Sequence, residues 1–346
     1  MPKWVGALLS VKPAAVRGHR RQSVPCLSSR PTARGNQTMS DSPVVRLEKD
    51  GDVALIIVNY PPVNALGPGV SEGIIDSLNK ANADPAIKAM VLIGDGRSFI
   101  AGADIRGFGT GRKRAPIGER TYDVLDASPK PVVAAIHGFA LGGGLENAMA
   151  CHYRIAVPSA KVGLPEVLIG ILPGGGGTQR LPRLVGAQTA LDMITSGRHV
   201  PAAEAAKLGI IDEVLPEGAN LRDAAVAYAR KIAAIRPLPR VRDKTVTAEP
   251  GIFDAMRKSI ARKARNQKAP YHCIAAVEAA CTLDFDAGIR KEAELFAELE
   301  TADEAKALRY AFFAEREVAK LPDLPTNVAP YDFKEPAVIG AGTMGG

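Results

Sequence analysis

The chain has 346 residues, a formal net charge of +7 and four cysteines. The positive charge comes from residues 1–38, which contain seven Lys and Arg residues and no acidic residue, so the rest balances at 37 basic and 37 acidic residues. A neutral body argues against a nucleic-acid-binding protein, and we expect no nucleic-acid partner. The cysteines form neither a CxxC pair nor a metal-ligand spacing with His, which predicts no metal site and a reducing compartment.

The basic leader, residues 1–38, allows two interpretations. It is rich in Arg and Ser and free of acids, as an organelle transit peptide would be. Its prolines interrupt a helix, however, and Met39 stands shortly before a predicted strand, so we favour an over-extended start and expect a disordered segment. We therefore expect a soluble bacterial cytoplasmic protein, with the peroxisome or the mitochondrion as the alternative if the leader is genuine. No apolar run is long enough to span a membrane.

Strands and helices alternate in the first part of the sequence. DVALIIVN predicts a buried strand, VSEGIIDSLNKANAD a helix, and AMVLIG the next strand. A glycine-rich segment and the helical ERTYDVLDAS then lead to the apolar strand PVVAAIHG, which is followed by the short strands HYRIAV and KVGL. This order predicts an α/β core over residues 39–235, with functional loops at the strand ends.

The later part of the chain has a helical character. After about Pro216, three segments show helical periodicity without intervening strands: NLRDAAVAYARKIAA, GIFDAMRKSIARKAR and AELETADEAKALRYAFFAEREVAK. We expect a helical region and linker over residues 236–330 that packs on the core, because its apolar stripes need a partner.

The last residues, EPAVIGAGTMGG, place a GxGxxG pattern (Gly340, Gly342 and Gly345) after a strand-like PAVI. This arrangement is typical of the start of a dinucleotide-binding unit. It stops before any helix or ribose-binding acid, so residues 335–346 are expected to be a truncated domain start, and NAD is expected only in the missing domain.

Two glycine-rich turns follow predicted strands. The first, Gly142–Gly144, leads into the helical LENAMA, and the second is AGAD, 101–104. Backbone N–H groups at a helix start are unpaired, and glycine has no Cβ to block a ligand. If two such amides converge they form an oxyanion hole. The alternative is that the glycines only permit tight turns and close packing.

Two carboxylates accompany the glycine turns. Glu146 lies in the first turn of LENAMA, where it could simply interact with the helix dipole. Glu166 lies between KVGLP and the cluster Gly174–Gly177, a position that packing explains poorly. Paired carboxylates near an oxyanion hole suit proton transfer next to a carbonyl group.

Taken in order, these segments resemble the enoyl-CoA hydratase/isomerase (crotonase) family over roughly residues 44–235. The resemblance is carried by SFIAGADI, PVVAAIHGFALGGGLENAMACHYRIA, KVGLPEVLIGILPGGGGTQRLPRLVG and SGRHVPAAEAAKLGIIDEV. The later RYAFFAERE and GAGTMGG are similar to the N-terminal half of multifunctional fatty-acid oxidation enzymes, in which a 3-hydroxyacyl-CoA dehydrogenase follows. The resemblance implies a crotonase-like core of repeated ββα units with a helical C-terminal region.

The resemblance also implies residue roles. Ala103 and Gly143 match the backbone oxyanion donors, and Glu146 and Glu166 match the catalytic acids. Further residues expected to contact the substrate are Ala101, Gly102, Asp104, Ile105, Arg106, Gly142, Pro173 and Gly174. Arg106 is a candidate for the CoA phosphates, whereas Arg112, Lys113 and Arg114 are more readily explained as a solvated basic loop. His137 and His152 are expected to pack or to hydrogen-bond rather than to react.

The implied activity is hydration of 2-enoyl-CoA thioesters in fatty acid β-oxidation, and the same site allows isomerisation of 3-enoyl-CoA to 2-enoyl-CoA. The alternative is a non-catalytic acyl-CoA-binding homologue. No cofactor is implied, because coenzyme A is part of the substrate. Implied partners are acyl-CoA and either copies of the chain in a trimer-type homo-oligomer or the missing dehydrogenase domain.

Overall fold

The computed structural model describes residues 43–108, 115–318 and 334. The basic leader, the basic loop at 112–114 and the GxGxxG pattern lie outside the described residues.

The strands are short, and the longest have six residues. Within the described residues the strands are β1 (Val45–Asp50), β2 (Val53–Val58), β3 (Ala89–Gly94), β4 (Val132–Ile136), β5 (Phe139–Leu141), β6 (Tyr153–Ala156), β7 (Lys161–Gly163), β8 (Val200–Pro201) and β9 (Glu213–Val214). The helices are α1 (Val70–Ala83), α2 (Thr121–Asp126), α3 (Gly143–Ala150), α4 (Gly177–Val185), α5 (Ala187–Ser196), α6 (Ala202–Lys207), α7 (Leu221–Ile232), α8 (Ile252–Ile260), α9 (Ala269–Thr282), α10 (Phe285–Glu300) and α11 (Asp303–Val318).

The main sheet has the strand order β1-β2-β3-β4-β6-β9. Its first pair is antiparallel and the remaining pairs are parallel. Strands β2, β3 and β4 are buried along their whole length, as expected of apolar runs in a parallel sheet. Because the carboxyl ends of parallel strands share one edge, the segments after β3 and β4 meet there. A smaller sheet has the strand order β5-β7-β8.

Helices cover both faces of the main sheet. Alternate side chains of each strand point to opposite faces, so β2, β3 and β4 each contribute to two apolar clusters. Leu55 and Ile57 of β2 pack with α7, whereas Ile56 and Val58 belong to a larger cluster. The larger cluster also contains Ile274 of α9, and α10 contributes Leu295 and Phe296 to it. The helices of the C-terminal region therefore share an apolar core with the strands.

In the C-terminal region two predicted helices have other bounds than expected, and one helix was missed. The last predicted segment is interrupted at Thr301 and Ala302, because the acidic Asp303 and Glu304 begin a new helix, α11. Helix α8 ends at Ile260, before the basic sequence ARKAR. Helix α9 was missed because most of its residues are apolar and buried, which leaves no polar face to reveal its period.

Among the described residues, no helix combines the length and the apolar character needed to cross a lipid bilayer.

Candidate active site

The first glycine cluster, Gly142–Gly144, joins β5 to α3. Gly142 has φ 51° and ψ −126°, a conformation that residues with a Cβ rarely adopt, and its amide donates to the carbonyl of Gly163 at 2.9 Å. A Cβ on Gly144 would lie 1.9 Å from the carbonyl oxygen of Ile100. The cluster therefore serves a strained turn and a close backbone approach, as the packing alternative required. These needs do not exclude a second role in binding.

The two predicted oxyanion donors lie side by side. Leu66 donates its amide to the carbonyl of Gly102 at 2.9 Å, and because the peptide is planar and trans, the N–H of Ala103 faces the opposite way. The N–H of Gly143 is in the first turn of α3, where an amide has no partner within its own helix. The nitrogen of Ala103 is 3.7 Å from the position that a Cβ on Gly143 would occupy. The bridge between Ile100 and Ala140, with the hydrogen bond from the amide of Leu141 to the carbonyl of Ile100 at 3.2 Å, brings the two loops together.

Glu146 contacts the second glycine cluster, Gly174–Gly177. Its side chain is buried in α3, and its Oε1 accepts hydrogen bonds from the amides of Gly175 at 2.6 Å and Gly177 at 2.8 Å. A Cβ on Gly175 would lie 2.4 Å from Oε2 of Glu146, so a larger residue would displace the carboxyl group. Both amides stabilise the ionised form of the carboxyl group more than its protonated form.

Glu166 has a different environment. It begins a 3₁₀ turn after β7, and its Oε1 lies 2.6 Å from the position that a Cβ on Gly142 would occupy. Its Oε2 is shielded from solvent and has no hydrogen-bond partner within the described part of the chain. Burial raises the pKa of the Glu166 carboxyl well above its ordinary value of 4.5, and the nearby charge of Glu146 raises it further. One acid is thus held by amides, while the other favours its proton.

The loop after AGAD is stabilised by its own side chains. Asp104 accepts the amide of Arg106 at 3.2 Å and so caps the 3₁₀ turn Ile105–Gly107. The guanidinium of Arg106 pairs with the same carboxylate at 2.8 Å, and 69% of the Arg106 side chain is exposed. Its contact with the CoA phosphates stays a prediction.

The other predicted substrate contacts lie in the same loops. Ala101 donates its amide to Val63 at 3.1 Å, and Gly174 accepts a hydrogen bond from the hydroxyl of Tyr122 at 3.4 Å. Pro173 lies 2.8 Å from the position of a Cβ on Gly177, beside the carboxyl group of Glu146. The binding roles of these residues and of Gly102, Ile105 and Gly142 stay predictions.

The two histidines bind the backbone. The amide of Val132 donates to Nδ1 of His152 at 3.1 Å, and burial lowers the pKa of His152 to about 4. His137 contacts the carbonyl of Gly96 through Nε2 at 3.0 Å. Within the described residues, no group of three or more His, Cys, Asp or Glu side chains is arranged to hold a metal ion.

Sequence reasoning missed a buried carboxylate and a buried ion pair beside the second glycine cluster. Glu292 of α10 accepts the amide of Gly176 at 2.7 Å, and Arg180 of α4 forms an ion pair with Asp126. One signal was available for Glu292, because it lies on the apolar face of α10 between Ile289 and Leu295. A charged residue on such a face indicates a specific buried partner.

Comparisons with known proteins identify the family of the chain. Residues 48–273 match the family model of enoyl-CoA hydratase/isomerase. The chain is 46% identical over 303 residues to the peroxisomal bifunctional enzyme of Danio rerio, a match that covers 85% of this chain and 41% of that protein. It is 38% identical over 317 residues to a peroxisomal fatty acid beta-oxidation multifunctional protein of Arabidopsis thaliana, covering 87% and 44% of the two chains.

Among solved structures, the carnitinyl-CoA hydratase of Mycobacterium avium is similar, with a TM-score of 0.59 and 31% identity, covering 79% of this chain and 97% of that one. The chain belongs to the enoyl-CoA hydratase/isomerase family. The predicted family, fold class and enzyme class are confirmed at this level. The chain spans less than half the length of the curated relatives that it matches.

Proposed function

We propose that this chain is an enoyl-CoA hydratase, which adds water across the 2,3 double bond of 2-enoyl-CoA thioesters in fatty acid β-oxidation. The observation that carries the proposal is the meeting of two acids of unlike environment at the first glycine cluster. A Cβ on Gly143 would lie 3.9 Å from Oε2 of Glu146 and 3.7 Å from the nitrogen of Ala103. A Cβ on the adjacent Gly142 would lie 2.6 Å from Oε1 of Glu166.

The two loop amides would hold the thioester oxygen. Hydrogen bonds from Ala103 and Gly143 polarise the carbonyl group and make C3 of the conjugated double bond electrophilic. They become stronger as negative charge moves onto the oxygen in the enolate. Amides that are fixed in their loops before the substrate arrives need no reorganisation during the reaction.

The acids would then divide the proton transfers. Glu146, as the carboxylate, takes a proton from water while the water oxygen bonds to C3 and the π electrons move onto the thioester oxygen. Glu166, as the carboxylic acid, gives its proton to C2 as the enolate collapses. Passing the proton from Glu146 back to Glu166 restores the starting state, so the net change is the addition of one water molecule. The unpartnered oxygen and raised pKa of Glu166 support its role as the acid.

The same acids support a second activity, isomerisation of 3-enoyl-CoA, in which Glu166 carries a proton between C2 and C4. The alternative is an acyl-CoA-binding homologue without activity, and the presence of both glutamates disfavours it. The names of the relatives, a bifunctional enzyme and a multifunctional protein, further suggest a second activity and a peroxisomal location. The similarity of GAGTMGG to the start of a dehydrogenase domain makes 3-hydroxyacyl-CoA dehydrogenase the second activity that we propose. All of these are proposals, as are trimer-type assembly and packing on a dehydrogenase domain.

Turnover of a short 2-enoyl-CoA tests the proposal. The wild-type chain should remove the ultraviolet absorbance of the conjugated enoyl group, and Glu146→Gln and Glu166→Gln should each lower kcat by about a thousandfold. A matched control is Glu298→Gln, because this side chain is exposed and pairs only with His272 among the contacts described. Binding of acyl-CoA without turnover by the wild type would favour the non-catalytic alternative, and full activity of both variants would refute the roles of the acids.

A further inference from the structure

Four consecutive amides at the start of α4 alternate between two buried carboxylates. Gly175 and Gly177 donate to Glu146, at 2.6 and 2.8 Å. Gly176 and Thr178 donate to Glu292, at 2.7 and 3.1 Å. Glu146 comes from α3, and Glu292 comes from α10, more than a hundred residues further along the chain. One short segment therefore connects the proposed catalytic base to the helical C-terminal region.

The alternation has a physical basis. The amides at a helix start lack partners within the helix, and the helix dipole favours negative charge there. Gly176 has φ 88°, which turns the chain in the left-handed region just before α4 begins. Two carboxylates on opposite sides of the segment can therefore each accept alternate N–H groups.

Close packing between α10 and α4 allows Glu292 to reach this segment. A Cβ on Gly288, one turn before Glu292, would lie 2.1 Å from Oε1 of Gln179, so a larger residue there would force the Gln179 side chain to shift. The hydroxyl of Thr178 adds a third hydrogen bond to Glu292 at 2.6 Å, and it accepts one from Gln179 at 3.0 Å. Glu292 is fully buried, and three donors compensate for the loss of its hydration.

We propose that Glu292 is a positioning residue of the hydratase site: by holding the amides of Gly176 and Thr178, it directs those of Gly175 and Gly177 at Glu146. Adjacent peptide planes share a Cα atom and are themselves rigid, so fixing alternate planes restricts the planes between them. The inference rests on the proposed function, since it deepens the account of the same site. Glu292 lies beyond residues 48–273, the part that matches the family model.

Substitution of Glu292 tests whether it acts on catalysis. Glu292→Gln keeps the volume and one acceptor oxygen but turns an amide group towards the donors of Thr178, and Glu292→Leu removes every acceptor. We expect kcat to fall about tenfold in the Gln variant and about a hundredfold in the Leu variant. KM should stay within about threefold, because neither change touches Ala103 or Gly143. A rise in KM with unchanged kcat would refute the proposal.

A double-mutant cycle separates positioning from simple support of the fold. If Glu292 acts through Glu146, then Glu292→Gln should have almost no further effect on kcat in a Glu146→Gln background. Loss of the same factor in both backgrounds would show an independent structural role and overturn the inference. Glu298→Gln, on the same helix, should leave kcat unchanged in either background.

Hydrogen exchange provides a readout that needs no turnover. In Glu292→Gln, the amides of Gly175 and Gly177 should exchange at least tenfold faster, although Glu292 does not bind them, and NMR of deuterated protein would resolve each amide. Faster exchange only at Gly176 and Thr178 would overturn the inference. If the wild type lacks hydratase activity, the proposed function fails, whereas the exchange rates still decide whether Glu292 orders the amides that bind Glu146.

Discussion

The two glycine clusters have similar sequences and opposite uses. Each follows a short strand or turn and begins a helix, α3 for the first cluster and α4 for the second. In the first cluster, Gly143 lies beside the amide of Ala103, and we propose that the thioester oxygen binds between them. In the second cluster, the amides of Gly175, Gly176 and Gly177 are already occupied by side-chain carboxylates of the protein itself.

This difference shows that a glycine-rich helix start is not by itself a ligand site. Its amides attract negative charge in both clusters, but in the second cluster the charge comes from the protein, whereas in the first we propose that it comes from the ligand. Whether a protein carboxylate lies within hydrogen-bond distance decides whether the amides stay available to a ligand. Glu146 connects the clusters, because it belongs to the helix that the first begins and accepts hydrogen bonds from the second.

The largest effect is expected where the first cluster touches the backbone. In Gly144→Ala, the new Cβ would lie 1.9 Å from the carbonyl oxygen of Ile100, so α3 or the segment after β3 must move. We expect at least a thousandfold loss of kcat or loss of the folded protein, measured by turnover and by thermal unfolding followed by circular dichroism.

The control for this variant is Gly96→Ala. Gly96 has a positive φ of 70°, unlike Gly144, but no atom lies within 4 Å of the position that a Cβ would occupy there, so its cost should stay near the backbone strain of about 1–2 kcal/mol. A Gly144→Ala protein with the melting temperature and kcat of the wild type would contradict the close approach at Ile100.

A smaller effect is expected in the second cluster, where the neighbour is a side chain. In Gly175→Ala, the Cβ would meet Oε2 of Glu146 at 2.4 Å and the ring of Tyr122 at 2.7 Å, and both can rotate away. Because the displaced group is the proposed base, kcat should fall about a hundredfold while KM changes little. Steady-state kinetics should show this split, and Gly186→Ala at the other end of α4, with open space around it, should not.

The third prediction concerns pH. The pKa of Glu166 is raised, so its proton is present below that pKa and is lost as the pH rises through it. If Glu166 is the acid, kcat should fall on the alkaline side by about tenfold per pH unit, and Glu166→Gln should lack this limb. The pH profile of Glu298→Gln should match the wild type. An alkaline limb that persists in Glu166→Gln would assign the titration to another group.

The parts of the site that the sequence reveals are those with local patterns. A buried strand followed by glycines and a carboxylate is visible in PVVAAIHG and LENAMA, and the structure places Glu146 in α3 as that pattern suggests. Both acids and both donor loops could be named because each belongs to a short segment whose chemistry is contained within it.

The features that the sequence did not reveal, Glu292 and helix α9, depend on partners that are distant along the chain. Glu292 contacts Thr178 across 114 residues of sequence, and nothing near Glu292 specifies which helix start it meets. Helix α9 has almost no polar face, so its period is hidden until α4, α5 and α10 surround it. Tertiary packing, rather than local preference, determines both.

The smallest effect concerns stability at the far end of α3, the helix that the first cluster begins. His152 accepts the amide of Val132 through Nδ1, so charging the ring breaks that hydrogen bond in a buried place. Folding lowers the pKa of His152 from 6.5 to about 4. At pH values between these two, the unfolded chain binds a proton at His152 that the folded chain does not. Stability should therefore decrease by about 1.5 kcal/mol between pH 6.5 and pH 5.

Urea denaturation at several pH values would measure this contribution. In His152→Asn, the side-chain oxygen can still accept a hydrogen bond but no longer titrates, so the decrease in unfolding free energy towards acid pH should be smaller than in the wild type by that amount. His272→Asn is the matched control, since His272 lies at the protein surface and contacts Glu298. If His152→Asn retains the wild-type slope, His152 is not the group whose protonation opposes the fold.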